Sequence, residues 1–138
     1  MNKCDWLLLA IDDRMEPIQI QKALFKFTME SSAPKNELYS FIPYNWGPLS
    51  VEIYEDLSKL REEKLIEFAP SGRGWNVYHL TEAGKGKRNK LREKAKPDLL
   101  DKLDIARDYV TSRDFETLLS DIYKKYPKYA AASLFRKN

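Results

Sequence analysis

The stretch IYEDLSKLREEKLI (residues 53–66) decides the fold of this chain. Ile53, Leu57 and Leu60 recur in it at helical spacing, so they lie on one face of a helix. The spacing predicts a helix over residues 49–64 that buries this face and leaves the charged residues between them in water.

A β-hairpin follows this helix in the sequence. Residues 65–68 and 75–80 are short runs of β-prone residues, and a glycine-containing turn at 71–74 separates them. Two such runs around a turn of this length predict a hairpin. Thr81 comes next, and its hydroxyl is suited to cap a helix over the basic residues up to Lys96.

Two helices are predicted before this stretch. Apolar residues predict a first helix over 3–13 and a second over 17–31, where Pro17 suits the first helical turn. The first helix would bury Cys4, Leu7, Leu8 and Ile11. Residues 38–46 are aromatic and β-prone, but Pro43 makes a central strand unfavourable. They predict an edge strand or an extended arm, with a turn at 45–48.

The C-terminal part is predicted to be helical. Pro97 ends the basic helix, and Thr111 with Asp114 resembles a capping box between two further helices. A short last helix is expected over 128–135. The apolar stripes of the two longer helices are Leu99, Leu103, Ala106 and Val110, and then Phe115, Leu118, Leu119, Ile122 and Tyr126.

The order of these elements predicts an α+β, mainly helical chain with a winged helix-turn-helix fold. Helix, helix, hairpin and helix follow one another within residues 1–96, and the hairpin is the wing. We expect residues 97–138 to form a helical extension that packs on this domain or mediates dimerisation.

Two segments resemble MarR- and PadR-type transcriptional regulators. Residues 53–66 are similar to the end of their recognition helix, and YHLTEAGK (residues 78–85) is similar to the end of their wing. Lys64 stands where those families usually have glycine, which weakens the expected helix stop. The resemblance implies DNA binding, and C-terminal helices that pair two subunits as in PadR-like regulators.

A second resemblance concerns shorter stretches. SFIPYNWGP (residues 40–48) is similar to an aromatic segment before a helix in Panacea-type antitoxin domains. YPKYA (residues 126–130) also resembles a tail motif of such small prokaryotic proteins. This similarity implies a protein-interaction role.

The positive charge of the chain is concentrated in one segment. Residues 71–96 contain eight Lys and Arg side chains and two Glu side chains, a net charge of +6 in a chain whose total is +3. In a winged helix this segment would hold phosphates, while the third helix enters the major groove. The predicted backbone contacts are Arg73, Lys85, Lys87, Arg88 and Lys90, and the predicted groove contacts are Ser50, Lys59 and Arg61.

The predicted solvent face of the third helix is acidic in its first turns. Glu52, Glu55 and Asp56 would all repel phosphates there. This face favours a partner other than DNA, or a binding mode led by the wing and the basic helix.

Two functions therefore remain open. One is a dimeric DNA-binding transcriptional regulator whose partner is double-stranded DNA. The other is a protein-interaction module, such as an antitoxin-like or defence-associated adaptor, on the same fold.

An enzyme, a cofactor and a metal site are not expected. His79 is the only histidine and lies on a predicted wing strand, while the only cysteine, Cys4, lies on an apolar helix stripe. No glycine-rich phosphate loop with the required spacing occurs. The longest apolar run, residues 6–11, is too short to cross a bilayer, and we expect a cytoplasmic protein.

Four aromatic residues leave two interpretations open. They could stack nucleic-acid bases or line a ligand cleft, but their spacing favours packing between sheet and helices. These residues are Tyr44, Trp46, Trp75 and Tyr78.

Overall fold

The structure, a computed structural model, describes residues 1–135. Within these residues the chain is α+β and mainly helical, as predicted. The helices are α1 (Lys3–Ala10), α2 (Pro17–Glu30), α3 (Val51–Glu62), α4 (Glu82–Lys94), α5 (Pro97–Thr111) and α6 (Phe115–Lys125). The strands are β1 (Ile42–Tyr44), β2 (Gly47–Leu49), β3 (Ile66–Pro70) and β4 (Asn76–Leu80), and 3-10 turns cover Lys35–Glu37 and Pro127–Ala130.

Helix α1 lies at the centre of the core. Residues 6–11 are each at most 2% exposed, so the helix is buried on all sides rather than along one stripe. It contacts α2, α3, α4 and α5. Asn2 caps it through the backbone N–H of Asp5, and the helix ends at Ala10, three residues before the predicted end.

The predicted hairpin is present, and a third segment pairs with it. Strands β3 and β4 are antiparallel, with Ile66 opposite Leu80. Met15, in the connection between α1 and α2, forms two backbone hydrogen bonds with Tyr78, of 2.9 and 2.8 Å. The α1–α2 connection therefore lies alongside β4.

A second hairpin lies between α2 and α3, where a single edge strand or arm was predicted. β1 pairs with β2, so that Tyr44 lies opposite Gly47 and Asn45 with Trp46 forms the turn. Gly47 has a φ of +94°, and a Cβ there would lie 3.0 Å from side-chain atoms of Lys22 and Leu119. Gly47 and Pro48 were predicted to be turn residues, but they form the second strand.

Helix α3 ends in a complete Schellman motif. The N–H of Leu65 donates to the Leu60 carbonyl, and the N–H of Lys64 donates to that of Arg61, both at 2.9 Å. Lys64 adopts a φ of +62°, the conformation that glycine favours. Lys64 was expected to weaken the end of α3, but both hydrogen bonds of the motif are present. A side chain in this conformation nevertheless carries strain.

The start of α4 is packed tightly against the end of α3. Thr81 caps α4 as predicted, accepting a hydrogen bond from the N–H of Gly84, and its hydroxyl also donates to the Lys64 carbonyl at 2.7 Å. A Cβ on Gly84 would lie 1.9 Å from the Leu65 carbonyl oxygen. Only glycine allows this approach of helix and backbone.

The C-terminal helices pack on the rest of the chain. α5 lies along α2, and the stripe Leu99, Leu103, Ala106 and Val110 is buried within the chain. Asp104 accepts hydrogen bonds from Arg92 of α4 and from Arg107, and Arg107 also donates to the Leu9 carbonyl.

Three details of the predicted tail differ from the structure. Pro97 begins α5 besides ending α4, and Asp114 rather than Thr111 caps α6, by accepting from the Thr117 N–H. Instead of a helix over 128–135, a 3-10 turn covers Pro127–Ala130. Residues 136–138 of the predicted extension lie outside the described residues. Among the residues that are described, no helix is long and apolar enough to span a membrane.

Replacing Gly84 with alanine tests the close packing of α4. We expect Gly84→Ala to lower the free energy of unfolding by about 3 kcal/mol or more, because the backbone of Leu65 has to move. Gly86→Ala in the same helix is the matched control, since nothing lies within 4 Å of a Cβ there. Gly86→Ala should raise the free energy of unfolding by up to about 1 kcal/mol. Equal effects of the two variants in urea denaturation would contradict this account.

Replacing Lys64 with glycine tests the strain at the end of α3. Glycine adopts the positive φ without a steric cost, so Lys64→Gly should raise the free energy of unfolding by about 1 kcal/mol. Lys64→Ala keeps a Cβ and should show no comparable gain. If Lys64→Ala raises the free energy of unfolding in chemical denaturation as much as Lys64→Gly does, strain at the positive φ is not the cause.

Candidate functional site

Three of the predicted contact residues are exposed on α3 and the wing. Arg73 lies in the turn between β3 and β4. The side chain of Lys59 is 70% exposed and lies 3.9 Å from Asp56. The Arg61 guanidinium lies 3.9 Å from the ring centroid of Phe68 on β3, so it bridges α3 and the wing.

Ser50 lies inside the protein and is 3% exposed. Its N–H donates to Gln21 Oε1 and its carbonyl accepts from Gln21 Nε2, both at 2.9 Å. Burial leaves this residue almost no surface for a groove contact, and we do not retain it in the proposed interface.

The basic residues of α4 lie on two different sides of the helix. Lys87 and Lys90 are exposed, and Lys94, which was not among the predicted contacts, extends their row at i, i+3 and i+7. Lys85 and Arg88 lie on the other side and are partly buried, and Lys85 is 3.6 Å from Glu82. We call Lys87, Lys90 and Lys94 the lysine stripe.

The acidic start of α3 is less exposed than its sequence predicts. Asp56 is buried and accepts a 2.7 Å hydrogen bond from the Tyr39 hydroxyl. Burial, together with this carboxylate, raises the pKa of Tyr39 well above its usual value. Glu52 forms a 3.0 Å salt bridge with Lys3, and Glu55 is exposed. The prediction that all three carboxylates face solvent is therefore wrong for Asp56.

A cavity of about 720 Å³ lies between the first hairpin, the start of α2, the wing and the α5–α6 junction. Tyr44, Trp46 and Trp75 line it and are 46%, 44% and 41% exposed. Trp46 also makes an edge-to-face contact with Phe115, with 5.6 Å between the ring centroids. The prediction that these three aromatic residues fill the core is wrong, while Tyr78 is partly buried and packs against the core.

Lys22 on α2 lines the same cavity and is 2% exposed. Its Nζ donates a 2.8 Å hydrogen bond to the Pro48 carbonyl. Burial lowers the pKa of this amine to about 7, and no carboxylate of residues 1–135 offsets that cost. The sequence already indicates that Lys22 is buried, because its neighbours on the same helix face, Ile18 at i−4 and Phe25 at i+3, are apolar.

Two arginines and two carboxylates also line the cavity. Arg73 comes from the wing turn and Arg113 from the α5–α6 junction, where its guanidinium lies 3.7 Å from the Tyr109 ring centroid. The carboxylates are Glu16 and Asp114. Hydrogen bonding to Thr117 lowers the pKa of Asp114, whose carboxylate is occupied as the cap of α6.

Cys4 and His79 do not form a catalytic arrangement. Burial, followed by nearby carboxylates, raises the pKa of the Cys4 thiol to about 11, so the thiolate is disfavoured. His79 Nε2 lies 3.1 Å from Glu67 on the neighbouring strand, at the surface. The described part of the chain contains no cluster of three or more side chains that could hold a metal ion.

Comparison with known proteins gives no relative for this chain. No family model matches it, and neither a curated protein nor a solved structure matches it.

The pH dependence of stability tests the buried amine of Lys22. Between pH 7 and about 10, Lys22 binds fewer protons in the folded chain than in the unfolded chain, so the free energy of unfolding rises with pH. The slope should approach about 1.4 kcal/mol per pH unit in this window. Lys22→Met is the control, because it removes the titrating group and keeps a long side chain.

The quantity to measure is the difference in unfolding free energy between wild type and Lys22→Met, by denaturant titration at several pH values. We expect this difference to move in favour of the wild type as pH rises from 7 to 9.5. A difference that stays constant over this range would show that Lys22 titrates normally in the folded chain.

Proposed function

We propose that this chain is a winged-helix DNA-binding protein that acts as a transcriptional regulator. The order of its elements supports the fold: α1, the paired residue Met15, α2, α3 and the β3–β4 hairpin follow one another as in a winged helix. The chain differs in one respect. Residues 31–50, with the first hairpin, replace the tight turn between the two helices of a helix-turn-helix.

The lysine stripe is the observation that carries the proposal. Three exposed ammonium groups lie on one side of α4, which directly follows the wing and packs against β4. Such a row can follow a DNA backbone and neutralise several phosphates. Arg73 at the wing turn adds a further contact, while Lys59 and Arg61 on α3 are the proposed groove contacts.

Two of the carboxylates that opposed DNA binding are already engaged within the chain. Asp56 is buried with Tyr39, and Glu52 is paired with Lys3. Their repulsion of phosphates is therefore smaller than that of three exposed carboxylates. Glu55 still argues for binding led by the wing and α4 rather than by the start of α3.

Homodimerisation through the C-terminal helices stays part of this proposal, through the sides of these helices that the fold leaves exposed. The apolar stripes of α5 and α6 are largely buried within one chain. A dimer through these helices would have to use their exposed sides, where Ile105 is 57% exposed.

A protein-interaction module is the second candidate, and the start of α3 favours it. Val51 is 58% exposed and Tyr54 is 40% exposed, next to the exposed carboxylate of Glu55. A mixed apolar and acidic surface suits a protein partner better than a phosphate backbone.

A salt titration of duplex binding tests the first proposal. We expect the chain to bind a fluorescently labelled, mixed-sequence DNA duplex at low salt, with an affinity that falls steeply as salt rises. Each neutralised phosphate contributes about 0.9 to the slope of log K against log salt. The variant Lys87→Gln, Lys90→Gln, Lys94→Gln should therefore lower the magnitude of this slope by about 2.7.

The control removes the same charge elsewhere. Lys35→Gln, Lys102→Gln, Lys124→Gln replaces three exposed lysines outside α4 and should leave the slope almost unchanged. Absence of duplex binding at low salt, or equal slopes for both triple variants, would overturn the proposal. Specific co-purification of a protein, without duplex binding, would favour the second candidate.

A further inference from the structure

We propose that the cavity between the first hairpin and the wing binds a small planar aromatic molecule that carries a negative charge. This site is separate from the proposed DNA contacts on α4 and goes beyond the proposed function.

The lining offers aromatic ring surface that the fold itself does not bury. Trp46, Trp75 and Tyr44 all line one concave site, and each of these residues is more than 40% exposed. The contact with Phe115 holds the Trp46 ring in place, so part of the aromatic lining is already packed before a ligand binds. A flat aromatic molecule would cover these rings and remove their apolar surface from water.

The charges favour an anion over a cation. The cations that line the cavity are Lys22, Arg73 and Arg113, against the carboxylates of Glu16 and Asp114. Asp114 already accepts a hydrogen bond as the cap of α6, and Arg113 Nε lies 3.9 Å from Asp121, outside the cavity lining. Lys22 and Arg73 are therefore the lining cations that form no salt bridge within residues 1–135. The amine of Lys22 has a hydrogen bond to a backbone carbonyl but no counter-ion within residues 1–135, and an anion would supply one.

The shape favours a small molecule over a second protein surface. The lining comes from separate elements of one chain: α2, the first hairpin, the wing and the α5–α6 junction. These elements converge on a single space of about 720 Å³, within the range of sites for cofactors and other small molecules.

A pair of fluorescent probes that differ in charge tests the proposal. 1-Anilinonaphthalene-8-sulfonate is an aromatic anion, and N-phenyl-1-naphthylamine has the same rings without the sulfonate. We expect the full chain to bind one equivalent of the anion at pH 6, with an affinity at least about fivefold higher than for the neutral probe. Excitation of tryptophan should give energy transfer to the bound probe, since Trp46 and Trp75 line the cavity.

The variants separate the contributions of rings and charge. Trp75→Ala should weaken the binding of both probes about tenfold, because it removes ring contact. Lys22→Met should remove the preference for the anion and leave the neutral probe bound. If Lys22→Met does not fold, Arg73→Gln serves the same purpose, because it removes another cation that lines the cavity. Lys124→Gln, an exposed lysine on α6, is the charge control and should bind both probes as the wild type does.

Several outcomes would overturn the proposal. They are non-saturable binding, equal affinity of the wild type for the two probes, and unchanged binding by Trp75→Ala. Sedimentation at the same concentrations supplies the last test. A dimer that dissociates on Trp75→Ala would show that a second copy covers these rings, and it would replace the ligand as the occupant.

Discussion

The burial of α1 on all sides is the constraint on which the rest of the structure depends. Residues 6–10 of this eight-residue helix are all apolar and buried, so this part of α1 has no side in water and other helices have to cover it. α2, α3, α4 and α5 do so from different directions. The tight contact of Gly84 with the Leu65 backbone lies at the base of the β3–β4 hairpin, where the N–H of Thr81 donates to the Leu65 carbonyl.

The wing turn lies next to both proposed binding sites. Its basic residue, Arg73, belongs to the surface proposed to meet DNA, and the same residue lines the aromatic cavity with Trp75. One short loop thus contributes to both proposed sites. The first hairpin contributes only to the cavity, and the hydrogen bond from Lys22 to the Pro48 carbonyl fixes its backbone to α2.

The sequence predicted what depends on neighbouring residues and missed what depends on distant ones. The stripe of α3 and the cap at Thr81 follow from local spacing, and both are present. The pairing of Met15 with Tyr78, the burial of Ser50 by Gln21 and the exposure of the cavity aromatics depend on contacts between residues far apart in sequence. The first hairpin was missed for another reason: its strands have three residues each, too few to show an alternating pattern.

The central helix also sets the order in which the chain can complete its structure during synthesis. Residues 3–10 are synthesised before α5, yet the Leu9 carbonyl accepts a hydrogen bond from Arg107, 98 residues later in the chain. Until α5 has emerged, the apolar sides of α1 and α2 that it covers stay exposed to water and to other molecules. The innermost helix of this fold is therefore fully covered only after a helix far along the chain has been synthesised.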